Sequence, residues 1–281
     1  MSSASVETHF VALPDPPETS EGNAIHSEEG ARAAGFPGAL VAGIHTYGWA
    51  TTAIVELLGE TWLYDGWVDV KLRKPVYAGD NLVTVATTSL LLASGLPTGE
   101  LRMTKTDKPE ETVLEGTFGL GRATFFAELA EPGSRTPEPQ GTGRQRMLLE
   151  TAPVGEDFRP MAVDAGVEAA RDWAHRRLGD DHSRYHKGPN PLLHPSFLAG
   201  RMTPLFRHSY LYGPAIHLRT QMQHLAPARS GQALAVGARL HSVFDRNGHH
   251  AHESDCWIYA ADGSPIAAKR HTGIFRVAPK P

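Results

Sequence analysis

Apolar positions along the chain change period several times, and each change marks an element. From Thr46 to Leu58 the apolar residues Trp49, Ala53, Ile54, Leu57 and Leu58 recur at helical spacing, and Gly59 stops the run, which predicts a helix. Ahead of it, Ser27 to Ala34 predicts a shorter helix. Ser27 is the cap, Glu28 and Glu29 sit in the first turn where the helix dipole favours carboxylates, and Gly35-Phe-Pro-Gly ends it. Past Gly59 the pattern predicts strands at Trp67–Arg73, Leu82–Leu92, Leu101–Lys105 and Val113–Phe126. Later the order recurs: a helix over Pro195 to Arg207, with proline tolerated in its first turn, then strands at Ala215–Gln223, Ala233–Phe244, His250–Ala260 and Pro265–Val277. Arg246-Asn-Gly reads as a hairpin turn.

Helix then strands, twice over, suggests one unit duplicated. Pro75-Val-Tyr-Ala-Gly79-Asp80 and Pro227-Ala-Arg-Ser-Gly231-Gln232 each follow a predicted strand and lead into alternating apolar sequence. Without a gap, Thr112-Val-Leu-Glu-Gly-Thr-Phe then falls opposite Ser264-Pro-Ile-Ala-Ala-Lys-Arg. Between the copies, Glu131-Pro-Gly-Ser-Arg-Thr-Pro-Glu-Pro-Gln-Gly-Thr-Gly has no apolar periodicity and reads as a linker. The expected division is therefore 1–130, a linker at 131–155, and 156–281. Each half is α+β, with one buried helix and an antiparallel sheet long enough to wrap around it. Pairing two such units covers a sheet edge that one alone would expose.

Composition narrows the function classes. The chain has 281 residues, 41% hydrophobic and 21% charged, with a net charge of −4, which gives no electrostatic reason to expect nucleic acid or an anionic membrane. The first residues have no basic start or apolar run, and no stretch approaches a membrane span, so a cytoplasmic protein with no membrane partner is expected. Cys256, the single cysteine, lies in the apolar run Cys256-Trp-Ile-Tyr and reads as a core residue. His249-His250-x-His252 and His182-x3-His186 have metal-like spacing but no fitting set of further ligands. They read as solvated surface, and no metal is expected.

The chemistry concentrates in Glu21-Gly-Asn23-Ala-Ile-His26, followed by Gly35-Phe36 and then Ala42-Gly43-Ile-His45-Thr-Tyr47. This stretch resembles the MaoC-like, or (R)-specific enoyl-CoA hydratase, branch of the hotdog superfamily, most strongly over residues 21–80. The resemblance implies a double hotdog, two tandem hotdog units in one chain. It also implies that His26 is the catalytic histidine, that Glu21 stands in for the family's aspartate, and that Asn23 is the asparagine of the motif. By position, Gly43 would offer its N–H to the thioester oxygen. Ala24 and Ala42 depart from the family's proline and histidine. A carboxylate and an imidazole flanking one water can add it across a conjugated double bond, and a helix N-terminus can hold the oxyanion that develops.

His45 and Tyr47, at the start of the long helix, are candidates to line the pocket. His194 and His217 are candidates from the second half, which lacks the motif, so one competent site is expected. The implied substrate is a small acyl thioester, its coenzyme A or acyl carrier belonging to the substrate with no further cofactor, and the implied assembly is a dimer of double hotdogs. Thioester hydrolysis is the alternative chemistry on such a scaffold. Cyclisation, isomerisation, or ligand binding without turnover remain open as well.

Overall fold

A computed structural model describes residues 4–89, 95–211 and 213–278, with only the backbone described for Ser20, Glu21 and Ser89. Within them the alternating segments form a single sheet of ten strands paired antiparallel. The first half runs β1 (Ala4–Val11), α1 (Pro17–Gly22), α2 (Glu28–Ala33), α3 (Gly43–Leu58), α4 (Trp62–Asp65), β2 (Gly66–Leu72), β3 (Asn81–Ser89), β4 (Thr98–Lys105) and β5 (Lys108–Leu120). The second runs β6 (Met161–Val163), α5 (Val167–Asp172), α6 (Pro195–Ala199), α7 (Met202–Ser209), β7 (Ile216–His224), β8 (Leu234–Arg246), β9 (His249–Ala260) and β10 (Pro265–Arg276).

The two halves meet where β2 pairs with β7. Outward from that seam the order is β5, β4, β3, β1 on one side and β10, β9, β8, β6 on the other, the same winding twice. The repeat extends to detail. Gly79 and Gly231, with φ of 88° and 81°, make the turns into β3 and β8 in a region that suits glycine. Isolated bridges Leu40↔Tyr77 and Leu192↔Arg229 then tie the segment entering each buried helix to the strand that follows. The bonds Val41 N–H to Val76 O and Leu193 N–H to Ala228 O, both 2.9 Å, repeat at the same offset.

Helix α3 lies in the sheet's concavity and is buried from His45 to Ala50 without interruption, far more than an amphipathic stripe. It touches the second half directly, Trp49 Nε1 donating to Leu178 O at 2.8 Å. Its counterpart differs from the expected single helix over Pro195 to Arg207. Gly200 caps α6 after five residues and the chain restarts as α7, leaving Arg201 in the turn. Similarly, the strand expected to Phe126 stops at Leu120, because Gly121, at φ 76°, turns the chain into a 3₁₀ turn over Thr124–Glu128. The predicted strand end from 90 to 92 lies outside the described residues. Strands β1 and β6 are additions at the sheet's two ends.

The polar stretch after Ala130 is laid along the second half. Tyr259 OH donates to Glu131 Oε1 at 3.0 Å, and the Arg135 guanidinium lies 4.8 Å above the Tyr259 ring. The expectation of a solvated His249–His252 run is corrected in part. His252 is fully buried, its ring 5.1 Å from Phe206 of α7, because β9 carries that residue onto the face covered by the helix. Among the described residues no group of acids, cysteines and histidines has metal-holding geometry, and no helix is long and apolar enough to cross a membrane.

Gln223 stitches the seam. Fully buried, it accepts from Ala123 N–H at 2.8 Å and donates from Nε2 to the carbonyls of Gly66, Gly121 and His224. Replacing Gln223 with leucine would strand these groups without water and is expected to cost ~3 kcal/mol in urea unfolding. Arg219→Ala, which removes the partly buried, bidentate pair with Asp69 on the same seam, should cost about 1 kcal/mol. Comparable losses in the two variants would contradict this account of the seam.

Candidate active site

The segment before α3 is folded around one carboxylate. Asp15 lies between two prolines after β1, its side chain only 4% exposed. Its Oδ1 takes the His45 Nδ1 hydrogen at 2.7 Å, while Oδ2 lies 3.0 Å from His26 Nδ1 and accepts Ala42 N–H at 2.8 Å. His26 ends the 3₁₀ turn Ala24–His26, and its Nδ1 also donates to Leu40 O at 2.8 Å. Both contacts of that nitrogen are to acceptors, so Nδ1 carries the proton and Nε2 accepts, here from Asn23 Nδ2 at 3.2 Å. Asn23 in turn exchanges two hydrogen bonds with the Ala215 backbone, tying the motif to the second half.

His45 is arranged differently. Asp15 fixes its Nδ1–H, and no described group engages Nε2, which is thereby the acceptor nitrogen on the cavity side. Gly43 is the first residue of α3, so its N–H has no acceptor within the helix. The glycine is required there: a Cβ would lie 2.7 Å from Leu72 Cδ2 and 2.9 Å from His217 Cβ. Asn23, His26, Gly43 and His45 line one cavity of about 460 Å³, with Asp15 behind the imidazoles. The second half closes it with Trp173, Arg201, His217 and His271.

His217 stacks on His271 with centroids 4.6 Å apart, and its Nε2 is 2.7 Å from Thr220 Oγ1. Burial, with the nearby Lys269 charge, pushes its pKa down to about 3, and His271 is likewise held well below its ordinary value. Both are neutral at physiological pH.

Two other candidates stand elsewhere. Tyr47 is fully buried in the core with no partner for its hydroxyl, because it faces the packed interior of α3. His194 caps α6 behind the cavity wall, its Nδ1 2.8 Å from Ser196 Oγ and its Nε2 3.5 Å from Asp180. Glu21 has its backbone in α1, and its side chain lies outside the described residues. Among the described side chains the carboxylate that reaches His26 is Asp15, which sequence reasoning passed over in a proline-rich leader. Its distance from the motif along the chain carries no periodic signal.

No family model and no curated protein sequence matches the chain. Its likeness is structural. A Chloroflexus aurantiacus protein described as a MaoC domain dehydratase superposes at TM-score 0.68, with 12% identity over 97% of this chain and 95% of that one. A conserved hypothetical protein of Mycobacterium tuberculosis, described as having a double hotdog fold, superposes at 0.60, with 15% identity over 96% and 95%. This chain is a double hotdog. A structure described as a MaoC-like dehydratase is similar at TM-score 0.60 and 14% identity, covering 97% of each chain. Within the double hotdog the cavity sits where the two units meet, at the start of the first buried helix.

The dyad has a pH signature. Burial alone would raise the Asp15 carboxyl, but hydrogen bonds from His26 and His45 and their positive charge outweigh it and pull the pKa down to about 2. A carboxyl depressed in the folded state stabilises fully above its unfolded value near 4, and loses that contribution as pH falls through 2. The unfolding free-energy difference between wild type and Asp15→Asn should therefore shrink by about 2 kcal/mol between pH 5 and pH 2. A difference independent of pH would contradict the assignment.

Proposed function

We propose that the double hotdog catalyses reversible hydration of an α,β-unsaturated acyl thioester. The observation that carries this reading is Asp15 held between two imidazoles, on the cavity that also contains the free N–H of the first residue of α3. Asp15, pulled to about 2, is a poor proton acceptor and serves to orient and stabilise the imidazoles. His45 Nε2 takes a proton from water as the water oxygen bonds to Cβ. The π electrons move to the thioester oxygen, where Gly43 N–H and the α3 dipole stabilise the enolate. The imidazolium, paired with Asp15, then returns the proton to Cα, and the carbonyl re-forms.

His26, fixed by Leu40 O and Asn23, completes the clamp on Asp15, and its Nε2 with the Asn23 amide forms the polar wall beside the reacting carbons. The exposed Lys74 on the cavity lining offers a cation to carrier phosphates. The carrier enters only as part of the substrate.

On crotonyl-CoA and longer enoyl-CoAs, followed by loss of conjugated-thioester absorbance, His45→Ala should lower kcat/KM by ~10²–10⁴-fold, with His26→Ala and Asp15→Asn each lowering it at least ~10-fold. Gly43→Ala should lower kcat through the displaced N–H, because its Cβ meets the His217 Cβ at 2.9 Å and cannot be accommodated by a side-chain tip alone. Thiol release without loss of the double bond would transfer the site to thioester hydrolysis, and an active His45→Ala would remove that residue from the mechanism.

A further inference from the structure

The break between α6 and α7 sets an arginine into the cavity wall. Arg201 follows the Gly200 cap, and its guanidinium carbon lies 4.1 Å from the Phe197 centroid and 5.0 Å from that of Trp173. Its Nε donates to Phe197 O at 2.8 Å. Among the described residues no carboxylate lies within 4.0 Å of it. Three other arginines share the lining: Arg177 pairs with Asp172 and Glu18, Arg73 pairs with Glu115, and Arg207 packs its guanidinium against Gly22 of α1.

A guanidinium with no carboxylate partner in a half-enclosed cavity is an unfavourable arrangement unless something compensates it. Burial lowers the Arg201 pKa only to about 10, so the guanidinium stays charged at neutral pH. His217 and His271 on the same lining are neutral, while Arg177 and the buried Lys269 are near enough to add positive charge around Arg201. The Nε hydrogen is spent on Phe197 O, and no described group is bonded to the two terminal nitrogens, which leaves them for a planar two-oxygen acceptor. The same indole also meets His45, ring centroids 5.7 Å apart, and the Arg177 guanidinium, 5.1 Å from its centroid. The cation thus stands one aromatic ring from the acid/base imidazole. That is the reach of a short acyl chain, whereas a carrier phosphate would be sought at the exposed lining by Lys74.

We propose that the acyl group bound in this cavity ends in a carboxylate that pairs with Arg201, so that the substrate class is a short dicarboxylic acyl monothioester. The reaction on it rests on the hydratase reading above, while its charge rests on Arg201. The test separates the two by using saturated ligands that cannot be hydrated. Calorimetry would compare glutaryl-CoA with pentanoyl-CoA, which differ in a terminal carboxylate against a methyl group.

Wild type should bind glutaryl-CoA tighter by roughly ten- to a hundredfold. The ratio should collapse towards one in Arg201→Leu and recover in part in Arg201→Lys, with circular dichroism confirming that each variant is folded. The same preference should persist with N-acetylcysteamine thioesters, which carry no phosphate. Equal or weaker binding of glutaryl-CoA by wild type overturns the proposal, as does failure to bind either ligand. An Arg201 effect that vanishes with the phosphate-free thioesters overturns it too, and assigns the guanidinium to the carrier. If the binding preference stands while no enoyl thioester is hydrated, the reaction assignment falls and the charge assignment remains.

Discussion

Everything at the cavity depends on one buried carboxylate. Asp15 receives three donors, from His26, His45 and the Ala42 backbone, and those donors belong to the 3₁₀ turn before α2, the first turn of α3 and the segment entering it. A charge removed from water is tolerable only when its lone pairs are satisfied, and losing one partner of such a group costs several kcal/mol as an order of magnitude. The carboxylate therefore does two things at once. It fastens the proline-rich leader to the helix that opens the site, and it sets the tautomer of both imidazoles so that each presents Nε2 away from Asp15.

The second half repeats this frame without the groups that the proposed reaction uses. By the shared offset of the bridges and turns, Pro195 occupies the place of Gly43 and Phe197 that of His45. Proline has no N–H to offer an oxyanion, and phenylalanine has no proton to exchange. What the second half provides is wall: Trp173, pinned by its indole N–H to Ser196 Oγ at 2.8 Å, and the His217–His271 stack. Asp180 and His194 sit behind that wall as a buried pair that holds Ser196 in place. On the proposed reading one half supplies the catalytic frame and the other its container, a division available to a fused pair but not to two identical chains.

Much of the fold was legible because it rests on local signals. The helix over Thr46 to Leu58, the glycine turns at Gly79 and Gly231, and the hairpin at Asn247-Gly248, both at positive φ, are written in periodicity and turn chemistry. Where the reading erred, a single glycine or a long-range contact decided the matter. Gly200 splits the second helix and Gly121 ends β5 early, while β1 takes its place only by pairing with β3 across the whole first half. At the site, the motif drew attention to Asn23, His26, Gly43 and His45, which do line one cavity. Asp15 and Arg201 were not legible, since each acquires its role from neighbours distant in sequence. Tyr47 beside the motif and His194 in the second half show the converse, polar candidates that the packing turns into the interior.

The central claim is that one imidazole, oriented by Asp15, moves the same proton from water to Cα. Hydration of an enoyl thioester in deuterium oxide, with the product resolved by NMR, tests it most directly. The account predicts a β-hydroxyacyl thioester carrying a single deuterium at Cα, on the same face as the new hydroxyl, and no such product from His45→Ala. Addition across opposite faces, or release of free thiol in place of hydration, would contradict it.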